Sequence, residues 1–400
     1  MGKIQKPVYL DYHATTPVDL RVLETMLPYF TEYFGNPASR SHPYGWQASE
    51  AVEIARKQVS DLLSVHAQDI FFTSGSTEGL NMAIKGLAES LRYKGKHIIS
   101  ISTEHHAVLD PLHWLESKGY EITLLPVDTN GMIDYDQLKS SIRSDTIMVI
   151  VMWANNETGV LHDMKSIGEI CRDKGVALVS DGTQAVGKVK VDPHEAGIDM
   201  LVLSAHKMYG PKGTGAIYMN TKEKKLKPEP LIHGGGHEMG FRSGTLNVPG
   251  IVGLGMASHL RQSNMDGDME RIKSLIDKFE NKLLSTLEHV SVNGSLDHRL
   301  YTVSNLKVAK VDSQAVMTKL RTKLAISSGS ACSSADPSPS HVLLAMGLSA
   351  EEAKGSFRIS LGVPTTSAEM ELGTKLLSEA ILEYRSESPV WQMFKQGIEL

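Results

Sequence analysis

The sequence predicts an α/β protein with one large domain, built on a parallel sheet, and one smaller domain. Short and almost continuously apolar segments, such as 147–154 and 200–203, have the composition of strands buried on both faces. Segments with helical spacing, such as 44–63 and 164–174, alternate with these strands. The length of 400 residues is enough for one large α/β domain and a second, smaller one.

The composition argues against several classes of protein. A net charge of −5 gives no basic footprint for nucleic acid, and the longest apolar run, 147–154, is too short to cross a membrane. No signal-peptide pattern precedes the first predicted strand, so we expect a cytoplasmic protein. Cys171 and Cys332 form neither a metal-binding pattern nor a disulfide framework, which fits a reducing compartment. Helical spacing with Ile167 and Ile170 predicts that Cys171 packs in the core.

The first predicted elements lead to a turn that is suited to bind an anion. A strand, a polar turn and a helix at 20–34 are followed by a helix at 44–63. A strand near 69–73 then runs through a glycine turn into a helix that starts around Ser76 and Thr77. Free N–H groups at a helix N-terminus bind anions, and these two hydroxyls would add donors. Simple N-capping of the helix is the alternative.

Two later strand ends carry polar candidates. The strand at 97–101 is followed by His105, at a position where a histidine is more often a hydrogen-bonded structural residue than a catalyst. The apolar strand at 146–153 runs into Asn156, and a buried amide needs hydrogen-bond partners. Residue type alone leaves a structural role open at both positions.

The most informative strand ends carry an acid and a lysine. The strand at 175–181 ends at Asp181, and the strand at 200–203 ends shortly before Lys207 and a turn rich in glycine. Ligands of open α/β sheets bind at the carboxyl ends of strands, so both side chains should face one crevice. A lone loop lysine is usually only solvated, but a lysine in such a crevice serves phosphate binding or Schiff-base formation. An acid beside a reactive lysine favours pyridoxal phosphate, whose ring nitrogen the acid would keep protonated.

Two other motifs are incomplete. Residues 182–189 nearly spell the phosphate-binding loop of ATPases, with Lys188 in place, but Val189 stands where a serine or threonine would bind Mg²⁺. Residues 233–236 match the oxyanion motif of lipases, yet the chain has no G-x-S-x-G turn for a nucleophilic serine. The sequence therefore disfavours both an ATPase and a lipase.

Ser204, His206 and Lys207, together with Asp181 and Gln184, resemble the class V branch of fold-type I pyridoxal-phosphate enzymes. The other motifs are similar to those of cysteine desulfurases of the NifS/IscS type. The resemblance extends almost without a gap along the chain.

The resemblance implies a definite domain organisation. A large domain at 14–262 would hold the cofactor on a mostly parallel seven-stranded sheet. Residues 1–13 and 263–400 would form a smaller α+β domain. This smaller domain would carry a loop at about 327–340, whose small residues and prolines predict exposure.

The resemblance also assigns roles to individual residues. Those that correspond to cofactor contacts in the family are Ser76, Thr77, His105, Asn156, Asp181, Gln184, Ser204, His206, Lys207 and Thr245. Thr245 would reach the active site of the other subunit in a homodimer. The implied catalytic residues are Lys207, His105 and Cys332, the cysteine of the loop. Arg358 would bind the α-carboxylate of the substrate with Asn156 nearby, because a guanidinium grips a carboxylate with two hydrogen bonds.

The activity implied by the resemblance is removal of sulfur from L-cysteine, which yields L-alanine and a persulfide on Cys332. The persulfide would pass to a sulfur acceptor, such as a scaffold protein for iron–sulfur cluster assembly or a protein of tRNA thiolation. No resident metal is expected, although Cys332 could transiently ligate an iron–sulfur cluster. The tail at 391–400 is shorter than the tail with which IscS-type enzymes dock their scaffold, which leaves the acceptor open.

Three other functions stay open. A selenocysteine lyase would use a similar site, whereas a class V aminotransferase would make a keto acid and would have no use for Cys332. A non-catalytic sulfur carrier with the same fold is the third possibility. The joint presence of Lys207, Asp181, Gln184 and His105 argues against it.

Overall fold

The computed structural model describes residues 6–221, 226–328 and 338–398, and its framework is a seven-stranded sheet. The strands are β2 (Ile70–Thr73), β3 (His97–Ile101), β4 (Glu121–Leu125), β5 (Thr146–Ile150), β6 (Ala177–Asp181), β7 (Met200–Ser204) and β8 (Gly215–Met219). Their order across the sheet is β2–β8–β7–β6–β5–β3–β4, and β8 alone runs antiparallel to its neighbours. The predicted α/β class with a mostly parallel seven-stranded sheet is therefore confirmed.

The central strands are apolar because the sheet is covered on both faces. Every residue of β5, β6 and β7 is buried. One apolar cluster packs Phe72 and Val149 with the helices on one face, and a second packs Phe71 and Met148 with those on the other. Parallel pairing of β6 with β7 sets Asp181 beside Val202, so both strands end at the same edge of the sheet.

The helices of this part of the chain follow the strands in alternation. They are α1 (Leu20–Met26), α2 (Pro28–Thr31), α3 (Pro43–Leu63), α4 (Ser76–Leu91), α5 (His106–Glu116), α6 (Tyr135–Ser141), α7 (Met164–Lys174) and α8 (Val248–Thr286). Short 3-10 turns lie at Ala67–Asp69, Ala205–Lys207 and Glu238–Gly240. Cys171, on α7, is fully buried in the first apolar cluster, as its helical spacing predicts.

A second, smaller layer is formed from both ends of the chain. Its strands are β1 (Val8–Tyr9), β9 (Val290–Val292), β10 (Val303–Val308), β11 (Leu324–Ala325) and β12 (Ser356–Ser360), and its helices are α9 (Ser313–Leu320), α10 (His341–Ala345), α11 (Ala350–Lys354), α12 (Ser367–Glu387) and α13 (Pro389–Lys395). β1 pairs with β11, while β12, β10 and β9 form an antiparallel sheet. Leu10 joins Phe279 and Phe357 in one apolar cluster. Residues from both ends of the chain therefore share one apolar cluster.

Two predicted helices differ from those observed. The segment predicted as one helix at 20–34 is divided into α1 and α2 at Pro28, which lacks an N–H group and restricts the residue before it. Helical spacing also predicts a helix from Met269 to Leu287. The observed helix, α8, ends at Thr286 but begins at Val248, where Pro249 is tolerated in the first helical turn. None of the helices in the described part of the chain has the length and apolar character of a membrane span.

Candidate active site

A cavity of about 550 Å³ lies where β5, β6 and β7 end. It brings together most of the residues that the sequence nominates, although they come from distant segments. The predicted residues that line it are Ser76, Thr77, His105, Asn156, Asp181, Gln184, Ser204, His206, Lys207 and Arg358. Thr245 is exposed and does not line it. The predicted Cys332 lies outside the described residues.

Lys207 ends the 3-10 turn that follows β7, and its amine is held by the N-terminal segment. Its Nζ donates to the backbone oxygens of His13, at 2.5 Å, and Ala14, at 2.9 Å. The same segment binds the turn itself, since the Thr16 N–H donates to the His206 carbonyl at 3.0 Å. Burial lowers the pKa of His206 to about 4, and the positive charge of Lys207 adds to this effect. The side chain of His206 is therefore neutral near pH 7.

His105 is the N-cap residue of α5, which settles the role of one ring nitrogen. Its Nδ1 accepts the Ala107 N–H at 3.0 Å, so Nε2 is the protonated nitrogen of the neutral ring. Burial lowers the pKa of His105, against the opposing effect of the Asp181 carboxylate. A neutral imidazole at the cavity wall is suited to moving protons.

Asp181 contacts the turn that follows β6. Its Oδ1 accepts the Thr183 N–H at 2.9 Å, and the Thr183 hydroxyl lies 2.6 Å from the Ser76 hydroxyl. Glu104 is buried in the vicinity, and burial followed by the Asp181 charge raises the pKa of Glu104 well above its ordinary value. Among the described residues, Asp181 and Glu78 are the carboxylate side chains that line the cavity.

The first turn of α4 presents its N–H groups and hydroxyls to the same cavity. The N-cap residue is Gly75, which makes no side-chain cap and has φ +147°, a backbone conformation that favours glycine. Ser76 and Thr77 are thus not N-caps, so the capping alternative is wrong. Glu78 accepts the Ser74 N–H at 3.0 Å and pairs with Arg242 at 2.7 Å, which holds the turn in place.

Arg358 is a buried cation that lines the cavity. Its guanidinium is 2 % exposed and donates to Asp11 Oδ1 at 2.8 Å and to the Asn156 carbonyl at 3.2 Å. Arg358 Nε and Asn156 Oδ1 are buried without a hydrogen-bond partner among the described residues. Buried polar atoms of this kind are suited to receive a ligand.

The residues present fit pyridoxal phosphate. A helix N-terminus with two hydroxyls suits its phosphate, the carboxylate of Asp181 suits its ring nitrogen, and Lys207 supplies the amine that attaches it. In the part of the chain that the structure describes, no group of histidine, cysteine, aspartate and glutamate side chains could hold a metal ion.

Sequence reasoning missed Asp11, His13 and Glu104, which support the residues above. His13 is buried, with ring nitrogens 3.1 Å from the Asn156 carbonyl and 2.9 Å from the Thr302 hydroxyl. Its only sequence signal is a position in the polar turn after the first strand, which by itself indicates a loop.

The chain is similar to known proteins over almost its whole length. The family model described as aminotransferase class-V matches residues 8–372. "Cysteine desulfurase IscS" of Neisseria meningitidis serogroup C is 49 % identical over 397 residues, which cover 99 % of this chain and 98 % of that protein. The protein of the same name from Haemophilus influenzae is 48 % identical over 396 residues, covering 98 % and 97 %.

Solved structures give the same picture. A "NifS-like protein" superposes with a TM-score of 0.87 at 33 % identity, covering 94 % of this chain and 100 % of that one. A structure described as "SspA in complex with cysteine" gives a TM-score of 0.77 at 36 % identity, covering 88 % and 98 %.

Proposed function

The chain belongs to the aminotransferase class-V family, and from this membership we propose how its residues perform pyridoxal-phosphate-dependent desulfuration of L-cysteine. It is a cysteine desulfurase, an enzyme that takes the sulfur of cysteine and leaves alanine. One observation supports this activity above the others. The amine of Lys207 and the carboxylate of Asp181 line one cavity at the ends of neighbouring strands, together with the buried Arg358.

The cofactor site is formed by residues from three strand ends. The N–H groups of the first α4 turn, with Ser76 and Thr77, would hold the phosphate, while Ser204 and His206 line the cavity near Lys207. Asp181 would bind the ring nitrogen, and Gln184 would donate to the ring's substituents. When bound, pyridoxal phosphate accepts the electrons that are released at the α-carbon of the substrate.

Arg358 orients the substrate, and Lys207 and His105 transfer protons to and from it. Arg358 binds the α-carboxylate, and its Nε, which has no hydrogen-bond partner among the described residues, is available for this contact together with the nearby Asn156. The amine of Lys207 would take up and return protons at the α-carbon of the substrate. His105 exchanges its Nε2 proton with the reacting groups in the cavity.

Cys332 receives the sulfur. Its thiolate attacks the sulfur atom of the substrate, a sulfur–sulfur bond forms, and the carbon–sulfur bond breaks. The electron pair of the broken bond stays with carbon, which takes up a proton, so that alanine is the carbon product. The persulfide on Cys332 then passes to an acceptor for iron–sulfur cluster assembly or tRNA thiolation, in the cytoplasm.

The decisive experiment measures both products. The protein incubated with L-cysteine, pyridoxal phosphate and a thiol reductant should release sulfide and alanine in equal amounts. Cys332→Ala should keep the cofactor and lose both products, and Lys207→Ala should lose the lysine linkage to the cofactor. Keto acid in place of alanine would indicate an aminotransferase, and turnover restricted to selenocysteine would indicate a selenocysteine lyase.

A homodimer with shared active sites is the proposed assembly. Thr245 is exposed and outside its own cavity, while Arg242, three residues earlier, pairs with Glu78 on the first turn of α4. Exposed apolar side chains are frequent between residue 20 and the first turn of α3, and they include Leu20, Leu27, Phe30, Phe34, Tyr44 and Trp46. Such a surface is suited to a protein interface.

Mixing inactive variants tests the shared site. Thr245→Ala and Lys207→Ala homodimers should each be nearly inactive, but a mixed dimer has one site with both native residues. After random subunit exchange, about a quarter of the parental sites should be intact. No recovery in a verified mixture would contradict the exchange of Thr245 between subunits.

A further inference from the structure

Lys188 is a buried lysine that the reaction described above does not use. It lies in the turn after β6, is 7 % exposed, and belongs to the segment whose spacing imitates a phosphate-binding loop. Burial lowers the pKa of Lys188 well below its ordinary value, and the charges of Lys207 and Arg261 lower it further. Within residues 6–221, 226–328 and 338–398 no carboxylate is paired with it. A buried amine without a counter-ion is costly, so its contacts deserve a functional explanation.

Both hydrogen bonds of the Lys188 amine go to one residue, Gln184. Its Nζ donates to the Gln184 backbone oxygen at 3.0 Å and to the side-chain Oε1 at 3.0 Å. On the other side, Gln184 Nε2 donates to the His13 carbonyl at 3.0 Å. The side-chain amide is therefore held between a donor and an acceptor.

The chemistry of these partners fixes which end of the amide is which. A backbone carbonyl only accepts, so the amide nitrogen must face His13 and the amide oxygen must face Lys188. This assignment holds in both protonation states of Lys188, because a neutral amine still donates. The second N–H of Gln184 remains for the cavity, which Gln184 lines.

We propose that Lys188 is a positioning residue, which holds the Gln184 amide so that its free N–H can donate to the bound cofactor. The carbonyl of His13 that accepts from Gln184 also accepts from Lys207, so the same contacts align both residues. This role rests on the proposed function, in which Gln184 contacts the cofactor. It gives the incomplete phosphate-loop motif a different use: its lysine binds protein oxygen atoms rather than a nucleotide.

Titration of pyridoxal phosphate onto the cofactor-free full chain, followed by visible absorption, tests the proposal. Lys188→Met should raise the apparent Kd for pyridoxal phosphate roughly tenfold, because it removes the donor that orients Gln184. Lys190→Met, the same change at an exposed position of the same segment, should bind like the parent. In a Gln184→Leu background, Lys188→Met should cause no further weakening.

Other results would overturn the proposal. An unchanged Kd for Lys188→Met, or an equal weakening with and without Gln184, would show that Lys188 does not act through this amide. If Lys188→Met does not fold, the Gln184→Glu variant is tested in its place. Its carboxylate can pair with Lys188 but cannot donate a hydrogen bond to the cofactor. An affinity for pyridoxal phosphate equal to that of the parent would refute the role proposed for Lys188 and Gln184. A parent that fails to bind pyridoxal phosphate would instead contradict the proposed function itself.

Discussion

Asp11 serves two neighbours with the two oxygens of one carboxylate. Oδ1 accepts from Arg358 at 2.8 Å, and Oδ2 accepts from the Ser327 hydroxyl at 2.9 Å. Ser327 also exchanges backbone hydrogen bonds with Arg358. Asp11 thereby connects the guanidinium proposed to bind the substrate with the chain segment that leads to Cys332.

Removal of the Asp11 charge should weaken substrate binding. In Asp11→Asn the guanidinium of Arg358 loses its charged partner and its fixed orientation, so KM for L-cysteine should rise about tenfold. The affinity for pyridoxal phosphate should stay unchanged. Steady-state kinetics of Asp11→Asn and of Asp297→Asn, an exposed control, checks this. An unchanged KM in Asp11→Asn would show that Asp11 is not required to orient Arg358.

Sequence reasoning could predict the residues that follow strands, but not those that support them. Asp181, Lys207 and His105 each come shortly after an apolar strand, and parallel topology gathers such positions at one edge. Asp11 and Lys188 act through contacts that no local pattern encodes. Asp11 meets Arg358 across 347 residues of chain, and Lys188 stands in a motif that predicts a different chemistry.

The junction between β2 and α4 depends on one glycine. Gly75 adopts φ +147°, and the atom nearest to an added Cβ would be Ser204 Oγ at 3.8 Å. There is room for a side chain at this position, so the cost of one lies in the backbone conformation. That conformation directs the first turn of α4 toward the cavity.

Gly75→Ala should therefore distort the proposed phosphate site. We expect a loss of about 1–3 kcal/mol in the free energy of unfolding, from the disfavoured φ, together with weaker binding of pyridoxal phosphate. Gly267→Ala is the matched control. It lies within α8 with nothing within 4 Å of the added Cβ, so it should stabilise the protein by roughly 0.5–1 kcal/mol. Denaturant unfolding and cofactor titration report the two effects, and equal stability of Gly75→Ala and the parent would contradict the strain.

At the scale of elements, periodicity predicts what is buried better than where an element ends. The strands of the large sheet were predictable because apolar runs of this length bury both faces. The start of α8 was not, because the glycines between Gly250 and Gly255 weaken any helical pattern. Gly255 faces Ala55 of α3, and an added Cβ would lie 2.6 Å from the alanine Cα. The close packing of α8 on α3 therefore requires glycine, the same residue type that weakens the helical pattern in the sequence.

The whole molecule contains histidines whose pKa is lowered by burial, among them the buried His162 and the half-buried His206. Burial lowers the pKa of His162 to about 4, and His206 has a similar value. Both values lie below the ordinary 6.5 of an unfolded chain, so the unfolded state binds more protons between pH 6.5 and 4. The free energy of unfolding should therefore decrease as the pH falls through this window, and these two groups should add no further loss below it.

His162→Phe should flatten this pH dependence. His162 contributes about 3 kcal/mol of the loss, and neither ring nitrogen has a hydrogen-bond partner in the described part of the chain. An apolar ring of similar shape should keep the stability at pH 7 or raise it. Unfolding in denaturant at pH 7 and pH 5 compares it with His113→Phe, an exposed control that should keep the parental slope. If His162→Phe keeps the parental dependence of the free energy of unfolding on pH, the attribution of this loss to His162 is wrong.

The contacts of the N-terminal segment also determine when the site can form during synthesis of the chain. The backbone N–H of His13 donates to the Ser360 hydroxyl at 2.9 Å, and its carbonyl accepts from Gln184 and Lys207. His13 leaves the ribosome before Gln184, Lys207 and Ser360 have been translated. Because nascent domains begin to fold during translation, the sheet can form early, whereas the site must wait for its last partner. Capture of the cofactor in its final geometry is therefore a late step, reached only after almost the whole chain has been made.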